Sequence, residues 1–226
     1  MYAKFFKRVM DFVLSLCALI VLSPVLLILA VLGAVIMKGN PFFTQLRPGK
    51  DEKIFKMIKF RSMTCETDAN GNLLPDEVRL TKYGKFLRAT SLDELPELLN
   101  IVKGDMSIVG PRPQLVRDMV FMTPEQRSRH SVRPGLTGLA QCNGRNAMSW
   151  EKKFEYDLIY IQKITFLGDV KILLQTVIKV FQRDGINEEG MATAEDLGDY
   201  LLRIGTVDRE AYAEKQAEAS RALAAV

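Results

Sequence analysis

The pattern of hydrophobic positions is dominated by one apolar run near the N-terminus. From Phe12 to Met37 the chain has 26 residues without a charge, and the residues that interrupt the apolar pattern are Ser15, Ser23, Pro24 and Gly33. As one straight helix this run would reach about 39 Å, against a hydrocarbon core of roughly 30 Å. No small-residue cleavage site follows it before the charges begin, which argues against a signal peptide. The run therefore predicts a membrane-embedded helix.

Two features of this run favour a re-entrant helix over a single span. Pro24 removes a backbone hydrogen bond at mid-run and predicts a kink, and the hydroxyl of Ser23 can bond to the freed backbone. Basic residues flank both ends of the run: Lys4, Lys7 and Arg8 before it, and Lys38, Arg47, Lys50, Lys53 and Lys56 after it. The positive-inside rule then places both ends in the cytoplasm. We expect the helix to break near Ser23 and Pro24 and to return, with a simple span as the alternative.

The rest of the chain predicts a mostly α-helical fold with a small β element. Residues 54–61 are compatible with a strand that places Lys59 and Arg61 on one face. Residues 64–80 form a polar segment that we expect to be a mobile loop.

A helix is expected to begin at Ser91. Ser91 and Glu94 have the spacing of a capping box, with Ser91 as N-cap and Glu94 at the third helical position. The predicted helix runs to about Val102 and stops near Gly104. Pro96 would disturb its first turns, because proline cannot donate the backbone hydrogen bond that a helix needs there.

Two amphipathic helices follow in the C-terminal half. Apolar residues recur at helical spacing at Phe154, Leu158 and Ile161, and again at Val170, Leu173, Leu174, Val177, Ile178 and Phe181. These helices either pack on the core or lie in a membrane interface. Residues 206–226 are rich in alanine and glutamate and predict a solvated helical or frayed tail. The expected division is an anchor at 1–38, a catalytic domain at 39–185 and a C-terminal extension at 186–226.

Composition limits the possible chemistry. The net charge of +4 fits an anionic membrane surface or phosphate-bearing substrates and does not by itself suggest nucleic acid as a partner. The three cysteines are odd in number and far apart in the sequence, so they form neither a disulfide framework nor a C-x-x-C metal site. This pattern is typical of a protein in a reducing compartment. His130 is the only histidine, so histidine-rich metal sites are excluded.

Adjacent acids at the predicted helix start are the first candidates for chemistry. Acidic residues are ordinary at a helix N-terminus, where the helix dipole favours them. Asp93 and Glu94 there could also attack phosphorus or hold a divalent cation, with helix N–H groups facing a phosphate. The residues alone leave both interpretations open.

Several cations could grip phosphate groups. Arg112 lies between two prolines, which stiffen its backbone, so its guanidinium would lose little entropy as a phosphate clamp. Lys59 on the predicted strand, and Arg88 and Arg145 at loops or helix ends, are weaker candidates of the same kind. Asp157 lies beside an apolar stripe, so its carboxylate must be paired, bound to a metal or shifted in pKa.

These segments together resemble the bacterial sugar transferases, the monotopic phosphoglycosyl transferases. The resemblance covers roughly residues 4–183, and its most specific segments are KFRSM at 59–63, TSLDELPELLN at 90–100, KGDMS at 103–107, GPRP at 110–113, RPGLTGL at 133–139 and YDL at 156–158. The compact length is similar to that of members acting in protein N-glycosylation. The fold this implies is a monotopic membrane protein with a re-entrant N-terminal helix and interfacial amphipathic helices.

The resemblance implies a reaction and roles for the candidates. A UDP-sugar and polyprenol (undecaprenyl) phosphate would give a polyprenyl-diphosphate sugar and UMP. Asp93 would be the nucleophile that carries a covalent phosphosugar, and Glu94 with Asp93 would hold Mg²⁺. The residues implied to bind substrate are Lys59, Arg112, Asp157, Arg88 and Arg145. The implied location is the cytoplasmic face of the bacterial inner membrane, among phospholipids, with downstream glycosyltransferases as further partners.

The sugar and the rival functions remain to be separated. The resemblance to compact members favours an N-acetylated amino sugar such as di-N-acetylbacillosamine. Ala140 stands where larger relatives often have tryptophan, which weakens any inference about the sugar pocket. The rival hypotheses are a non-catalytic protein that binds the lipid carrier and a membrane-anchored scaffold whose acids only cap a helix.

Overall fold

The computed structural model describes residues 1–144, 148–182 and 195–225. The fold is mostly helical with two small sheets, as predicted. The helices are α1 (Lys7–Ile36), α2 (Asp76–Arg79), α3 (Lys82–Thr90), α4 (Glu97–Lys103), α5 (Val116–Met119), α6 (Pro124–Arg127), α7 (Leu139–Asn143), α8 (Trp150–Gln162), α9 (Phe166–Gln182), α10 (Leu197–Arg203) and α11 (Arg209–Ala224). The strands are β1 (Phe42–Pro48), β2 (Ile54–Phe60), β3 (Ser107–Val109) and β4 (Gly135–Thr137).

The apolar run forms helix α1, preceded by a π-helical turn at Tyr2–Phe6. Tyr2–Ile36 is long and apolar enough to cross a membrane. Pro24 lies inside α1, and the hydroxyl of Ser23 donates to the carbonyl of Ile20 at 2.7 Å. Ile20 is four residues before Pro24, so this is the carbonyl that proline leaves without a backbone donor. The expected use of Ser23 is confirmed, while the re-entrant break stays a prediction because α1 continues through both residues.

One stripe of α1 packs against the rest of the protein while most of its apolar surface is exposed. Near its start, the carboxylate of Asp11 accepts hydrogen bonds from the hydroxyl of Ser107 at 2.7 Å and from the backbone N–H of Ile108 at 3.1 Å. Near its end, the hydroxyl of Tyr83 donates to the carbonyl of Leu29 at 2.7 Å. Both ends of α1 therefore contact the same folded body.

The two sheets hold the central segments together. β1 and β2 form an antiparallel hairpin in which Phe42 pairs with Phe60 and Pro48 with Ile54. β3 and β4 form a short parallel pair. The predicted strand at 54–61 is thus confirmed as β2, whereas the apolar and polar pattern gave no signal for its partner β1.

The polar loop at 64–80 has local structure. The short helix α2 lies within it, and isolated bridges join Met63 to Leu80 and Thr67 to Leu73. At the base of this loop, Gly84 is pressed against the backbone of Ser62, where an added Cβ would lie 1.8 Å from the carbonyl oxygen. Glycine at that position lets α3 approach the end of β2 closely enough to bring Arg88 near the site.

The C-terminal helices combine buried and exposed faces. α8 buries Phe154, and α9 buries Asp169 and Ile172. α9 also exposes a group of large apolar side chains, Phe166, Leu167, Leu174, Val177 and Ile178. Its amphipathic pattern thus serves packing on one side and leaves an exposed apolar face on the other, so the predicted membrane interface stays a prediction. The helix expected in 206–226 is present as α11, but one of its faces is packed on the core instead of being solvated.

Candidate active site

The two adjacent acids lie on a tight turn. Ser91 has a left-handed backbone (φ 57°), and a 3₁₀ turn at Leu92–Glu94 follows it. Pro96 separates this turn from α4, which begins at Glu97 and ends at Lys103, with Gly104 (φ 102°) as its C-cap. The predicted end of the helix is confirmed, and so is the disturbance at Pro96. The predicted capping box is wrong, because the side chain of Ser91 caps nothing and the carboxylate of Glu94 points to two cations instead.

Glu94 is the centre of a partly buried charge cluster, in which the side chain of Glu97 is 3% exposed and that of Arg112 is 41% exposed. Its Oε1 atom lies 2.8 Å from Nζ of Lys59 and 2.8 Å from Nη2 of Arg112. Lys59 also lies 3.0 Å from Oε1 of Glu97, which α4 contributes one turn later. Four side chains from three distant segments therefore form one alternating set of charges.

A buried asparagine places Lys59 in this cluster. Asn100 on α4 accepts the backbone N–H of Ile58 at 3.1 Å and donates to the carbonyl of Lys56 at 2.8 Å. These bonds fasten β2 to α4, and the side chain of Lys59 then reaches the acids. Burial tends to lower the pKa of Lys59, but Glu94 and Glu97 outweigh burial, so the pKa is raised and the ammonium stays charged.

The acids of the cluster differ in their pKa because their partners differ. Burial would raise the pKa of Glu94, yet Arg112 and Lys59 hold it far below its ordinary value. Burial raises the pKa of Glu97 to about 7, and Glu94 adds to this effect. Glu94 is therefore a stable anion, whereas Glu97 titrates near neutral pH.

Asp93 is the carboxylate that remains accessible. It is partly exposed, and no group in the described part of the chain donates a hydrogen bond to it. Burial and the neighbouring Glu94 raise its pKa, against the pull of Lys59, Arg112 and Arg88. Asp93 therefore lies within electrostatic range of three cations but accepts no hydrogen bond from them, which leaves its oxygens available to a ligand.

The backbone of Arg112 is held by a buried ion pair. Arg129 donates from Nη2 to the carbonyl of Arg112 at 2.7 Å and, from Nε and Nη2, to Oδ2 of Asp157 at 2.9 and 2.6 Å. Asp157 is thus paired, one of the outcomes expected for a carboxylate beside an apolar stripe. The structure places it behind Arg112, so its effect on a substrate passes through Arg129 and Arg112.

Of the two remaining predicted cations, Arg88 lies beside the site. Arg88 donates from Nε to the hydroxyl of Ser62 at 3.0 Å and lies close enough to Asp93 for their charges to interact. Arg145 lies outside the described residues. The structure therefore brings together Lys59, Asp93, Glu94 and Arg112, with Arg88 beside them and Asp157 in support.

The donor set fits a magnesium ion only in company with a substrate. In the described ranges no group of three or more acidic, histidine or cysteine side chains could hold a metal by itself. Asp93 and Glu94 offer hard oxygen donors, and both cations bind the same oxygen of Glu94, Oε1. Mg²⁺ is commonly held by one or two carboxylates together with substrate phosphates and water. These residues fit such a shared site.

Three residues of this site were not among the candidates predicted from the sequence. Glu97 and Asn100 lie within the motif at 90–100, but their roles depend on contacts with β2 that sequence spacing does not show. Arg129 lies in the 3₁₀ turn Ser128–Ser131 among polar residues and is nevertheless almost completely buried. The demand of Asp157 for a partner was the only available hint.

His130, next to Arg129, predicts a measurable pH effect on stability. Burial and the charge of Arg129 lower its pKa to about 4, although Glu52 lies 3.5 Å from Nδ1. Since the pKa is ordinarily about 6.5, the folded state favours neutral imidazole, and this contribution is full above about pH 6.5 and is lost as the pH falls towards about 4. Between pH 7 and pH 4, the free energy of unfolding should therefore fall by about 3 kcal/mol less in His130→Leu than in the unmodified protein. Urea unfolding of both proteins at the two pH values measures this, and equal losses would contradict it.

Comparison with known proteins gives a consistent result. Residues 2–183 match the family described as bacterial sugar transferase. The chain is 51% identical over 191 residues to the uncharacterized sugar transferase EpsL of Bacillus subtilis, covering 84% of this chain and 94% of that protein. It is 43% identical to the UDP-glucose:undecaprenyl-phosphate glucose-1-phosphate transferase of Klebsiella pneumoniae, covering 78% of this chain and 40% of that protein. It is 35% identical to the undecaprenyl-phosphate galactose phosphotransferase of Salmonella typhimurium, covering 81% of this chain and 42% of that protein.

Proposed function

Because this chain belongs to the bacterial sugar transferases, we propose that it transfers a sugar-1-phosphate from a UDP-sugar to undecaprenyl phosphate and releases UMP. The observation that carries the proposal is the carboxylate of Asp93, which accepts no hydrogen bond from the described residues and lies within electrostatic range of Lys59, Arg88 and Arg112. The larger relatives named for this reaction are more than twice as long as the matched segment. Residues 2–183, which match the family, include Asp93 and these three cations.

The first step would join the sugar phosphate to the protein. An oxygen of Asp93 attacks the phosphorus next to the sugar, the bond from that phosphorus to the bridging oxygen breaks, and UMP leaves with that oxygen. Lys59 and Arg112, now paired with Glu94, would bind phosphate oxygens as the diphosphate enters. Lys59 would stay paired with Glu97 while its contact with Glu94 is replaced by a contact with phosphate.

The second step would regenerate Asp93. A phosphate oxygen of the lipid attacks the same phosphorus, and the acyl-phosphate bond to Asp93 breaks to give the polyprenyl-diphosphate sugar. Glu94, together with Asp93 before it reacts, would hold Mg²⁺ with phosphate oxygens of the substrate, and the bound ion would supply the charge neutralisation that an anionic nucleophile needs. Arg129 holds the backbone carbonyl of Arg112, which would keep this residue beside the phosphate through both steps.

The two-step mechanism is tested without the lipid acceptor. Incubation with a UDP-sugar and Mg²⁺ should release UMP in an amount no greater than the enzyme present, and should leave a phosphosugar on Asp93 that mass spectrometry detects. A chelator should prevent this burst, and added Mg²⁺ should restore it. A protein that releases no UMP and carries no label under these conditions would be a lipid-carrier-binding or scaffold protein instead.

The identity of the sugar is a finer part of the proposal. The resemblance to compact members favours an N-acetylated amino sugar, whereas the larger relatives are named for glucose and galactose. Ala140, which stands where larger relatives often have tryptophan, is buried in α7 and does not lie on an open surface. The sugar is identified by measuring UMP release from a panel of donors. The panel contains UDP-glucose, UDP-galactose and UDP-linked N-acetylated amino sugars, including UDP-di-N-acetylbacillosamine. We propose that the amino sugars give the highest kcat/KM.

We also propose that α1 enters the cytoplasmic leaflet and does not cross the membrane. Ala18, Leu19 and Leu22, near the middle of α1, pack against the core cluster around Leu98 and Ile101. A helix crossing the bilayer would hold its middle in lipid, roughly 15 Å from either surface, out of reach of a water-exposed domain. Contacts along the whole length of α1 support a helix that lies beside its domain at the membrane surface, where water-soluble and lipid substrates meet.

This topology predicts that both termini lie in the cytoplasm. Epitope tags placed before Met1 and after Val226 should both resist protease added to intact spheroplasts and both be cleaved after permeabilisation. A periplasmic protein and a cytoplasmic protein followed in the same samples control for leakage. Cleavage of one tag alone in intact spheroplasts would show that α1 spans the membrane.

A further inference from the structure

The described part of the C-terminal extension, residues 195–225, lies outside the family match yet is packed on the domain that carries the site. Leu197 and Ala219 of the extension are almost completely buried. Their cluster contains Val116, Met119, Val120, Phe121, Met122, Trp150 and Phe154. Gly198 lies so close to Phe121 that an added Cβ would be 2.6 Å from the ring. The extension thus covers an apolar face made by α5, the residues after it and α8.

Polar contacts fix the extension in one register. The backbone N–H of Leu197 donates to Oδ1 of Asp118 at 2.9 Å, and Lys215 donates to the carbonyl of Val120 at 2.7 Å. The indole N–H of Trp150 donates to the carbonyl of Glu195 at 3.3 Å. A helix held only by nonspecific apolar contact would not need three directed hydrogen bonds, two of them to backbone carbonyls.

Asp118 connects the extension to the start of α5. While Oδ1 accepts the N–H of Leu197, Oδ2 accepts the N–H of Leu115 at 3.0 Å. Leu115 is three residues after Arg112, and Pro113 between them is rigid. Arg47 donates to the carbonyl of Pro113 at 3.2 Å. The loop that carries Arg112 is therefore tied down on the side nearest the extension.

The same cluster also includes the second support of Arg112. Phe154 is one turn before Asp157 on α8, and the guanidinium of Arg129 lies over its ring, 5.9 Å from the centroid. Arg129 holds the carbonyl of Arg112. Loss of the extension would expose Phe154 and Trp150 to water, which loosens α8 together with α5.

We propose that the C-terminal extension positions Arg112 for its phosphate ligand by bracing α5 and α8, with Asp118 as the positioning residue that joins them. The extension itself touches no substrate. The part of this inference that concerns turnover rests on the proposed transferase function, whereas the part that concerns the binding of a nucleoside diphosphate does not.

Docking of the extension can be followed directly through Trp150, the only tryptophan in the chain. Ala219→Glu places a charge in the buried contact, and Ala217→Glu places the same charge on the exposed side of α11. We expect the full-length Ala219→Glu protein to show tryptophan emission shifted to longer wavelength, and Ala217→Glu to match the unmodified protein. An unshifted emission for Ala219→Glu would overturn the docking on which the proposal depends.

The effect on Arg112 is measured as binding of UDP and as KM for the UDP-sugar. Ala219→Glu and the milder Asp118→Asn, which keeps one acceptor oxygen for two N–H groups, should each raise the Kd for UDP and the KM about tenfold. In an Arg112→Ala background both changes should alter the Kd for UDP less than twofold, because the side chain that the extension positions is no longer there. Equal effects in both backgrounds, or unchanged Kd with shifted emission, would overturn the proposal. If the Kd for UDP changes as expected but the unmodified protein releases no UMP from any UDP-sugar, the transferase function is overturned and the positioning role is not.

Discussion

Asp93→Asn is expected to reduce UMP release by on the order of 10⁴-fold or more while leaving the fold intact. Asparagine has the same shape but lacks an anionic oxygen that could attack phosphorus. The fold should survive because Asp93 accepts no hydrogen bond from the described residues. Steady-state UMP release gives the rate, and thermal unfolding of the purified protein gives the stability.

A matched substitution separates the loss of a nucleophile from the loss of a carboxylate in general. Asp51 is exposed and has a left-handed backbone (φ 54°), a conformation that asparagine adopts readily. Asp51→Asn should therefore keep full activity. Asp93→Asn with substantial turnover and an unchanged UMP burst would show that another group attacks phosphorus.

Asp157→Ala is expected to lower the free energy of unfolding by about 3–5 kcal/mol. The substitution leaves the guanidinium of Arg129 buried without its counter-charge, since the side chains of Arg129 and Asp157 are only 1% and 3% exposed. Urea unfolding in detergent micelles measures the loss. Because Arg129 also holds the carbonyl of Arg112, KM for the UDP-sugar should rise as well.

Two further proteins test whether burial of the pair is the cause. Glu155→Ala removes an acid on the same helix whose partner, Lys152, is 2.7 Å away at the surface, and should cost less than about 1 kcal/mol. Arg129→Met combined with Asp157→Leu removes both charges and should recover much of the stability, though not the KM. A small loss in Asp157→Ala, equal to that of Glu155→Ala, would contradict the structural role of the pair.

The capping-box error shows what sequence spacing cannot decide. Ser91 and Glu94 have the right separation for reciprocal backbone bonds. In the folded protein, two cations from distant segments reach Glu94, and charge-assisted hydrogen bonds outweigh a cap to a neutral N–H. The local pattern was correct about a turn and an interruption at Pro96, and wrong about the partner of Glu94.

The C-terminal extension shows a related limit. The alanine- and glutamate-rich composition of 206–226 correctly predicted a helix. It did not show that Ala219 is buried, because a single small residue among polar ones gives no amphipathic stripe. What packs there depends on an apolar surface made by α5 and α8, about 65 to 100 residues earlier in the chain.

The sequence by itself determined the properties that depend on neighbouring residues. These are the apolar run with its proline, the use of Ser23 to bond to the backbone that the proline frees, a strand at about 54–61, the stiff backbone at Arg112 and the family to which the chain belongs. Tertiary structure alone decided which charges meet, since Lys59 and Glu94, Arg129 and Asp157, and Asp118 and Leu197 are 35, 28 and 79 residues apart. It also decided that α1 lies along its domain. The physical reason is that burial and charge pairing act between segments that the fold brings together, whereas spacing in the sequence reports only what each segment can form locally.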